Sequence, residues 1–381
     1  MKKILMSAFI GSRNLGDEAI FKSIINSLDI KKAQITALSV NEEKTRLLGI
    51  KTVLAKKFSN IKKAIQECDI MLIGGGGIIQ DQTSILNFLY YAFQIWCASR
   101  FNKPIILCFV GVGPIKFKLS QRIMRRLIPK LTLAVVRDES SKKQLLKFGC
   151  SASKIYQAYD PVLNFPLNNI SLKTPNKKDQ PYVVVALRRW FFTNPFLPVF
   201  VTRNLNRLKI LRRKYDQYME KLASDLNYFL NLHPDIKLVI VSFYDGEDNI
   251  VNQDLLRLIK NKKQVILTPN QMTEIDYLRI AEGAEFVVGM RLHSLILAAK
   301  AGKPFIALRY STKVDEFTKQ MGLKDMSIQV ESYNSQKLRQ ALESLLAQNE
   351  FLAKRVVKYV TKYQIINKKA FERINEEIKI L

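Results

Sequence analysis

The chain alternates short, uninterrupted apolar runs with longer segments of helical periodicity, and this alternation restricts its fold more than any other feature. KILMSAFIG, QITALSV, DIMLIG, PIILCFVGVGP and LTLAVVRD read as strands. DEAIFKSIINSLD, FSNIKKAIQEC and an apolar stretch from about 84 to 101 read as the helices between them. Strands that are apolar on both faces and separated by helices belong to a parallel sheet covered on each side. MKKILMSAFIG fits the first strand rather than a secretory leader. Its apolar run is too short, and glycine, charge and a helix start follow at once.

After the polar, aperiodic SLKTPNKKDQ at 171–180 the alternation restarts. YVVVALR, a long helix around 203–232, IKLVIVSF, QVILT, TEIDYLRIAEGA, EFVVG, SLILAAKAG and PFIALRY complete a second half. At 381 residues the chain exceeds the size at which one core keeps growing. The expectation is an α/β protein of two Rossmann-like, doubly wound domains, 1–170 and 181–350, joined by a linker. They face a cleft at the carboxyl ends of both sheets, an arrangement of GT-B type. An amphipathic helix over 351–381 is expected to pack back on the first domain.

Composition is ordinary for a globular protein except in charge: 61 Lys and Arg against 33 Asp and Glu give a net +28. Such a field favours an anionic neighbour, whether nucleic acid, membrane face or phosphorylated substrate. No helix-turn-helix, zinc or RNP-type motif supports nucleic acid. Two basic segments, 116–130 and 203–214, the latter beside the aromatic residues of 190–200, suit peripheral contact with anionic lipid, although a solvated helix face explains them as well. No window offers about 20 uninterrupted apolar residues, so no spanning helix is expected. Cys68, Cys97, Cys108 and Cys150 are widely spaced in apolar surroundings and read as buried free thiols of a reducing cytosol.

Several strand ends carry side chains suited to chemistry. In FIGSRNLGDEAI, Gly11 and Gly16 permit close backbone approach, while Asn14 and Asp17 suit either hydroxyl recognition or helix capping. In LIGGGGIIQD, the run containing Gly75, Gly76 and Gly77 reads as a ligand-facing loop after the strand, with Asp81 just beyond. VRDESS is equally well explained by an internal Arg–Asp pair or a cap. ALRRW sends Arg188 and Arg189 to opposite sides, so one of them is expected in the cleft, where a guanidinium suits carboxylate or phosphate. GMRLHSLILAAKAGKP places Arg291, Leu292 and His293 at a strand-to-helix junction, where free amides attract anions. Only one other histidine, His233, exists. ALRYSTKVDEF adds Lys313, a cation within reach of the same anion, and Glu316, an acid/base or a helix-start residue.

NLGDEAI, IGGGGIIQD, VRDESS, MRLHSLILAAKAGKPFIALRYSTKV and FTKQMGL, in order from about residue 4 to 325, resemble the polysaccharide pyruvyl transferase family, in its CsaB-like bacterial branch. The resemblance implies transfer of pyruvate from phosphoenolpyruvate to a sugar as a cyclic ketal, on a GT-B-like fold. The acceptor would be a lipid-linked precursor of a cell-wall polysaccharide. It also implies that Arg291, Leu292, His293 and Arg188 bind phosphoenolpyruvate. The chain departs from the family pattern at Arg13, where glycine is frequent, at VGVGP, and at SFYDGEDN, to which no acceptor contacts are carried over.

On this reading the substrate-binding residues are Arg188, Arg291, Leu292, Lys313, Asn14, Gly75, Gly76 and Gly77. His293 is the candidate general acid, and Asp17, Asp81 or Glu316 the base. Phosphoenolpyruvate is the co-substrate; no metal, nucleotide or other cofactor is required. The expected location is cytoplasmic, peripheral on the inner face of the cytoplasmic membrane. The alternative is a GT-B glycosyltransferase using a nucleotide sugar.

Overall fold

The computed structural model describes residues 1–29, 33–82, 84–166, 180–189, 209–244 and 246–381. Residues 171–179 of the expected linker, the four residues before it, the aromatic residues of 190–200 and the basic residues of 203–208 lie outside the described residues.

The first half runs β1 (Lys2–Ile10), α1 (Leu15–Ser27), β2 (Ala33–Ser39), α2 (Glu42–Arg46), β3 (Lys51–Leu54), α3 (Phe58–Glu67), β4 (Ile70–Ile79) and α4 (Ile85–Arg100). It continues with β5 (Ile105–Val112), α5 (Lys118–Leu127), β6 (Leu133–Val136), α6 (Glu139–Lys147) and β7 (Ile155–Gln157). The second half runs β8 (Tyr182–Ala186), α7 (Lys209–Leu232), β9 (Lys237–Ile240), α8 (Asp248–Leu258), β10 (Val265–Leu267), α9 (Glu274–Gly283), β11 (Val287–Gly289), α10 (Leu292–Lys300), β12 (Phe305–Arg309), α11 (Thr312–Gln320) and β13 (Ser327–Gln329). Two helices, α12 (Ser335–Ala347) and α13 (Asn349–Ile380), close the chain.

Both sheets are parallel, ordered β3-β2-β1-β4-β5-β6-β7 and β10-β9-β8-β11-β12-β13. Each reverses direction at its centre, between β1 and β4 and between β8 and β11, which makes both halves Rossmann-like. In such sheets the strands on either side of a switch point part at their carboxyl ends and leave a crevice. FIGSRNLG and the glycine run lie at the first switch point, ALRR and MRLH at the second. Topology alone therefore brings the motifs together in two pairs, and the packing of the two halves joins the pairs.

The glycine run departs from expectation. It lies inside β4, paired with β5 through Gly74 and Gly76, rather than in a loop beyond the strand. Its cause is packing: a Cβ on Gly75, which has φ +63°, would come within 1.9 Å of Ile20 on α1. Glycine lets the helix lie directly on the strand at the sheet centre.

One face of the first sheet is covered by α3 to α6 over their own apolar cluster. The other face merges with the second half in a continuous cluster that includes α1 and α13. Helix α13 buries one stripe, with Leu352, Val356, Val360, Tyr363, Asn367, Phe371 and Ile374 recurring at helical spacing. It is bonded to both halves. Arg355 donates to the Gly322 carbonyl and the Tyr363 hydroxyl to Gln320. On the other side, Phe371 meets the Phe109 ring at 4.5 Å and Tyr363 stacks on Tyr159.

Asn367, fully buried, accepts from the Tyr159 N–H at 2.8 Å and donates to the Asp160 carbonyl at 3.1 Å. Asn367→Leu would orphan the Tyr159 N–H, at roughly 1–3 kcal/mol, and strip one of two donors from the Asp160 carbonyl, which keeps the Leu163 N–H. Urea unfolding should show a loss of about 1–4 kcal/mol; a loss below about 0.5 would mean the bonds are dispensable.

Candidate active site

Helix α1 opens against the second half. Asn14 caps it by accepting from the Gly16 N–H at 3.1 Å, so capping occupies the oxygen proposed for hydroxyl recognition. The Leu15 N–H donates across the cleft to the Phe243 carbonyl at 2.9 Å. Arg13 holds φ +62°, the left-handed conformation glycine adopts most readily, which accounts physically for a position where glycine suits the turn.

His293, in the first turn of α10, lies directly on Gly16. A Cβ there would come within 2.1 Å of the imidazole Nδ1, so only glycine fits. The opposite nitrogen, Nε2, is buried with no hydrogen-bond partner, 3.8 Å from the Asp160 carboxylate. Asp160 accepts from Arg137 at 2.8 Å, and both side chains are only 6% exposed. Arg137 lies against Gly77 and Gly111, neither of which has room for a larger side chain beneath the guanidinium. Lys313 approaches from α11, and its ammonium donates to the Gly77 carbonyl at 3.4 Å. Asp17 sits beside the Gly76 backbone.

The remaining expected residues divide. The Arg188 guanidinium donates to the Tyr310 hydroxyl at 2.8 Å and stacks over its ring, while Arg189 turns to the Tyr215 ring on α7, so one of the two faces the cleft. Arg291 is held by Asp248, to which both Nε and Nη2 donate, and by Glu247 at 3.3 Å. These acids belong to SFYDGEDN, the segment without carried-over contacts. Leu292 is half-buried against the core. Glu316 shares α11 with Lys313 and faces Asp138 and Arg137. Asp81 is not brought into the cluster. It is fully buried and accepts from the Lys116 and Phe117 N–H groups, at 2.8 and 2.9 Å, which pins the loop after β5.

Asp160 escaped sequence reasoning. Its signal was modest: an Asp preceding Pro in YDPVLN, where it caps a short 3₁₀ turn by accepting from the Val162 N–H. Among the described residues no three His, Cys, Asp or Glu side chains gather in the manner of a metal site, and the four cysteines are buried and free.

The cluster pushes its titratable groups in opposite directions. Burial, reinforced by Glu18, raises Asp17 to about 7 against the opposing Arg291 and Arg137. Burial depresses His293 to about 4; Asp160 opposes this, while Arg137, Arg291 and Lys313 add to it. Burial and Arg137 lower Lys313 to about 8. Burial and Asp138 raise Glu316. Without a bound anion the imidazole is therefore neutral at pH 7 and Asp17 is the group poised to exchange a proton.

The two shifts have opposite linkage. Folded Asp17 holds its proton more tightly than the unfolded chain does, so its contribution to stability falls as pH rises through about 7. Folded His293 sheds its proton more readily, so its contribution falls as pH drops toward about 4. Asp17→Asn should therefore raise the melting temperature relative to wild type more at about pH 8 than at about pH 5. His293→Gln should show the reverse. Differences independent of pH would contradict both shifts.

A family model described as polysaccharide pyruvyl transferase matches residues 14–312. The amylovoran biosynthesis protein AmsJ of Erwinia amylovora is 20% identical over 313 residues, covering 80% of this chain and 72% of that protein. The fold is shared with solved structures of low identity. These include the S. aureus MnaA–UDP co-structure (TM-score 0.70, 15% identity, 100% and 98% of the two chains). Another is UDP-GlcNAc 2-epimerase from Neisseria meningitidis bound to UDP-GlcNAc (0.64, 13%, 98% and 100%). A third is Anabaena Alr3699/HepE in complex with UDP and glucose (0.58, 14%, 100% and 98%). These neighbours place the chain among GT-B-like folds, and the extent of the family match, from the cap of α1 through the start of α11, shows that it belongs to the polysaccharide pyruvyl transferase family.

Proposed function

We propose that this transferase of polysaccharide biosynthesis moves the pyruvyl group of phosphoenolpyruvate onto two hydroxyls of one sugar, forming a cyclic ketal and releasing phosphate. The observation that carries the reading is His293 Nε2: buried, without a hydrogen-bond partner, and ringed by Asp160, Arg137 and Lys313. A buried imidazole nitrogen left unbonded beside cations suits a ligand that is anionic and accepts or receives a proton.

Phosphoenolpyruvate carries up to three negative charges on a small frame. Arg188, Arg291 and Lys313, together with Arg137, are the cations for its carboxylate and phosphate. Its arrival offsets the positive charge that adds to burial in depressing His293, so donor binding and imidazole protonation favour one another. The imidazolium then protonates the C3 methylene, C2 becomes electrophilic, and one sugar hydroxyl attacks while Asp17 takes its proton. Phosphate leaves, and the second hydroxyl closes the ring. Of the two hydroxyl protons, one is accounted for by the new C3–H bond and the other leaves with phosphate. Asp17 is favoured over Glu316 as the base because it flanks His293's contact residue Gly16; Asp81 holds a loop instead.

The acceptor is a glycan, and we place it on a lipid carrier at the inner face of the cytoplasmic membrane, in keeping with the basic surface. Among the described residues no helix is long and apolar enough to cross a membrane.

Phosphoenolpyruvate incubated with the protein and a panel of lipid-linked and water-soluble glycans should yield phosphate and acceptor in equal amounts, with the acceptor heavier by pyruvate less one water. Release of nucleoside diphosphate from a nucleotide sugar, with no phosphate from phosphoenolpyruvate, would instead establish a glycosyltransferase. His293→Ala should lower kcat by roughly 100- to 10,000-fold. A change confined to KM would make His293 a ligand of the donor only. Gly16→Ala, which pushes the imidazole away without touching a titratable group, should also lower kcat, by about tenfold or more. Unaltered kcat would show that the Gly16–His293 contact is incidental.

A further inference from the structure

We propose that the outward face of α4, flanked by α3 and α5, is a docking surface for an anionic lipid bilayer. A helix on the outside of a soluble domain normally turns charge to solvent. The outward stripe of α4 instead reads Leu86, Leu89, Phe93 and Trp96, with no charged residue before Arg100. Leu86 is 56% and Trp96 53% exposed. Phe58, at the start of α3 and 57% exposed, sets its ring edge-on against Phe93 at 5.0 Å, and Phe93 in turn lies 6.2 Å from Trp96. The result is a continuous apolar and aromatic ridge on the surface, opposite the side of α4 that packs on β4.

Cations border the ridge on both sides. Helix α5 exposes Lys118, Arg122, Arg125 and Arg126, and no acidic residue occurs from 116 to 130. Lys56 and Lys57 stand exposed just before Phe58. Aromatic residues over a basic margin match the acyl boundary and the anionic headgroups of a membrane surface. A second copy of the chain fits less well: a two-fold contact through α4 would set basic margin against basic margin in a protein of net charge +28.

The ridge is also placed for the chemistry. Helix α4 begins at the carboxyl end of β4, so its Leu86 end is separated from Gly77 and the cleft only by the short segment after the strand. A protein lying on α4 would present its cleft to a head group carried at the membrane surface. This deepens the proposal of a lipid-linked acceptor and rests on it for its purpose, though not for its test.

Co-sedimentation with vesicles, read without donor or acceptor, tests the surface. Wild type should bind phosphatidylcholine–phosphatidylglycerol vesicles at low salt and phosphatidylcholine vesicles weakly. Arg122→Glu/Arg126→Glu should weaken partition by roughly fivefold for each cation removed. Leu89→Ser/Trp96→Ser should weaken it by about tenfold or more. Both variants should keep the wild-type melting temperature and its turnover of a water-soluble acceptor. Equal partition of wild type and both variants, or no partition at low salt, overturns the proposal. So does a dimer in sedimentation equilibrium that Leu89→Ser/Trp96→Ser dissolves, or binding of an oligonucleotide in preference to the vesicles. Failure of pyruvyl transfer with vesicle binding intact would leave the surface standing and sink the proposed reaction.

Discussion

The buried Arg137–Asp160 ion pair is the interaction on which the candidate site depends. Taking a guanidinium and a carboxylate out of water costs several kcal/mol per ion, and such a pair persists only when its remaining bonding positions are filled. On the carboxylate they are: Asp160 accepts from Arg137 with one oxygen and from the Val162 N–H with the other, while its backbone carbonyl is bonded by Asn367. Two features of the chain follow from this pair. Gly111 is small because Arg137 lies on it, as Lys313 and more loosely Arg137 lie on Gly77, and the last helix crosses back over the first half, where it holds Asp160 in place. Asp160 then presents its carboxylate to His293, from the other half.

The two halves meet through contacts of a particular kind: backbone pressed on a functional side chain. Gly16 touches His293, and the Gly77 carbonyl receives Lys313. Lys22 and Glu274 add an ion pair at 2.6 Å with the acid almost fully buried. On the proposed reading, an anion that engages Lys313 must compete with the Gly77 carbonyl. Arg291 is similarly engaged, paired with Asp248 and Glu247. These pairs let several cations sit close together without mutual repulsion opening the site. They also mean that an anion gains only the difference between itself and the carboxylate or carbonyl it displaces. A ligand with several charges, able to replace more than one partner at once, is favoured over a singly charged one.

Much of the architecture was legible because the physics is local. Strands buried on both faces must be apolar along their length, so runs such as PIILCFVGV declare themselves, and the helices between them dictate parallel pairing. The cleft motifs were legible for the same reason, since they follow strand ends. What escaped was set by distant partners. Four consecutive glycines read as a loop because glycine is poor in strands, and only neighbours distant in sequence, Ile20 against Gly75 and Lys313 against Gly77, reveal why β4 carries them. Asp81 looked catalytic by its position, yet its oxygens belong to the amides of Lys116 and Phe117. Asp160 caps a short turn and Asp248 opens α8, positions whose sequence carries a cap signal at most, and both become significant only beside Arg137 and Arg291.

The electrostatics also reverse a role that residue type alone would assign. Histidine is the side chain expected to carry a proton near neutrality, and aspartate the one expected to have lost it. Here burial, helped by the surrounding cations, pushes His293 down to about 4, and burial holds Asp17 at about 7 against the pull of Arg291 and Arg137. On the proposed reading this inversion has a use. An imidazolium formed ahead of the donor would need to be stabilised against three nearby cations, with Asp160 opposing them. A neutral imidazole acquires its proton only when a multiply charged anion settles among Arg137, Arg291 and Lys313. On that reading the acid is created by the molecule it acts upon, and the reactive C2 centre forms only when the donor is in place.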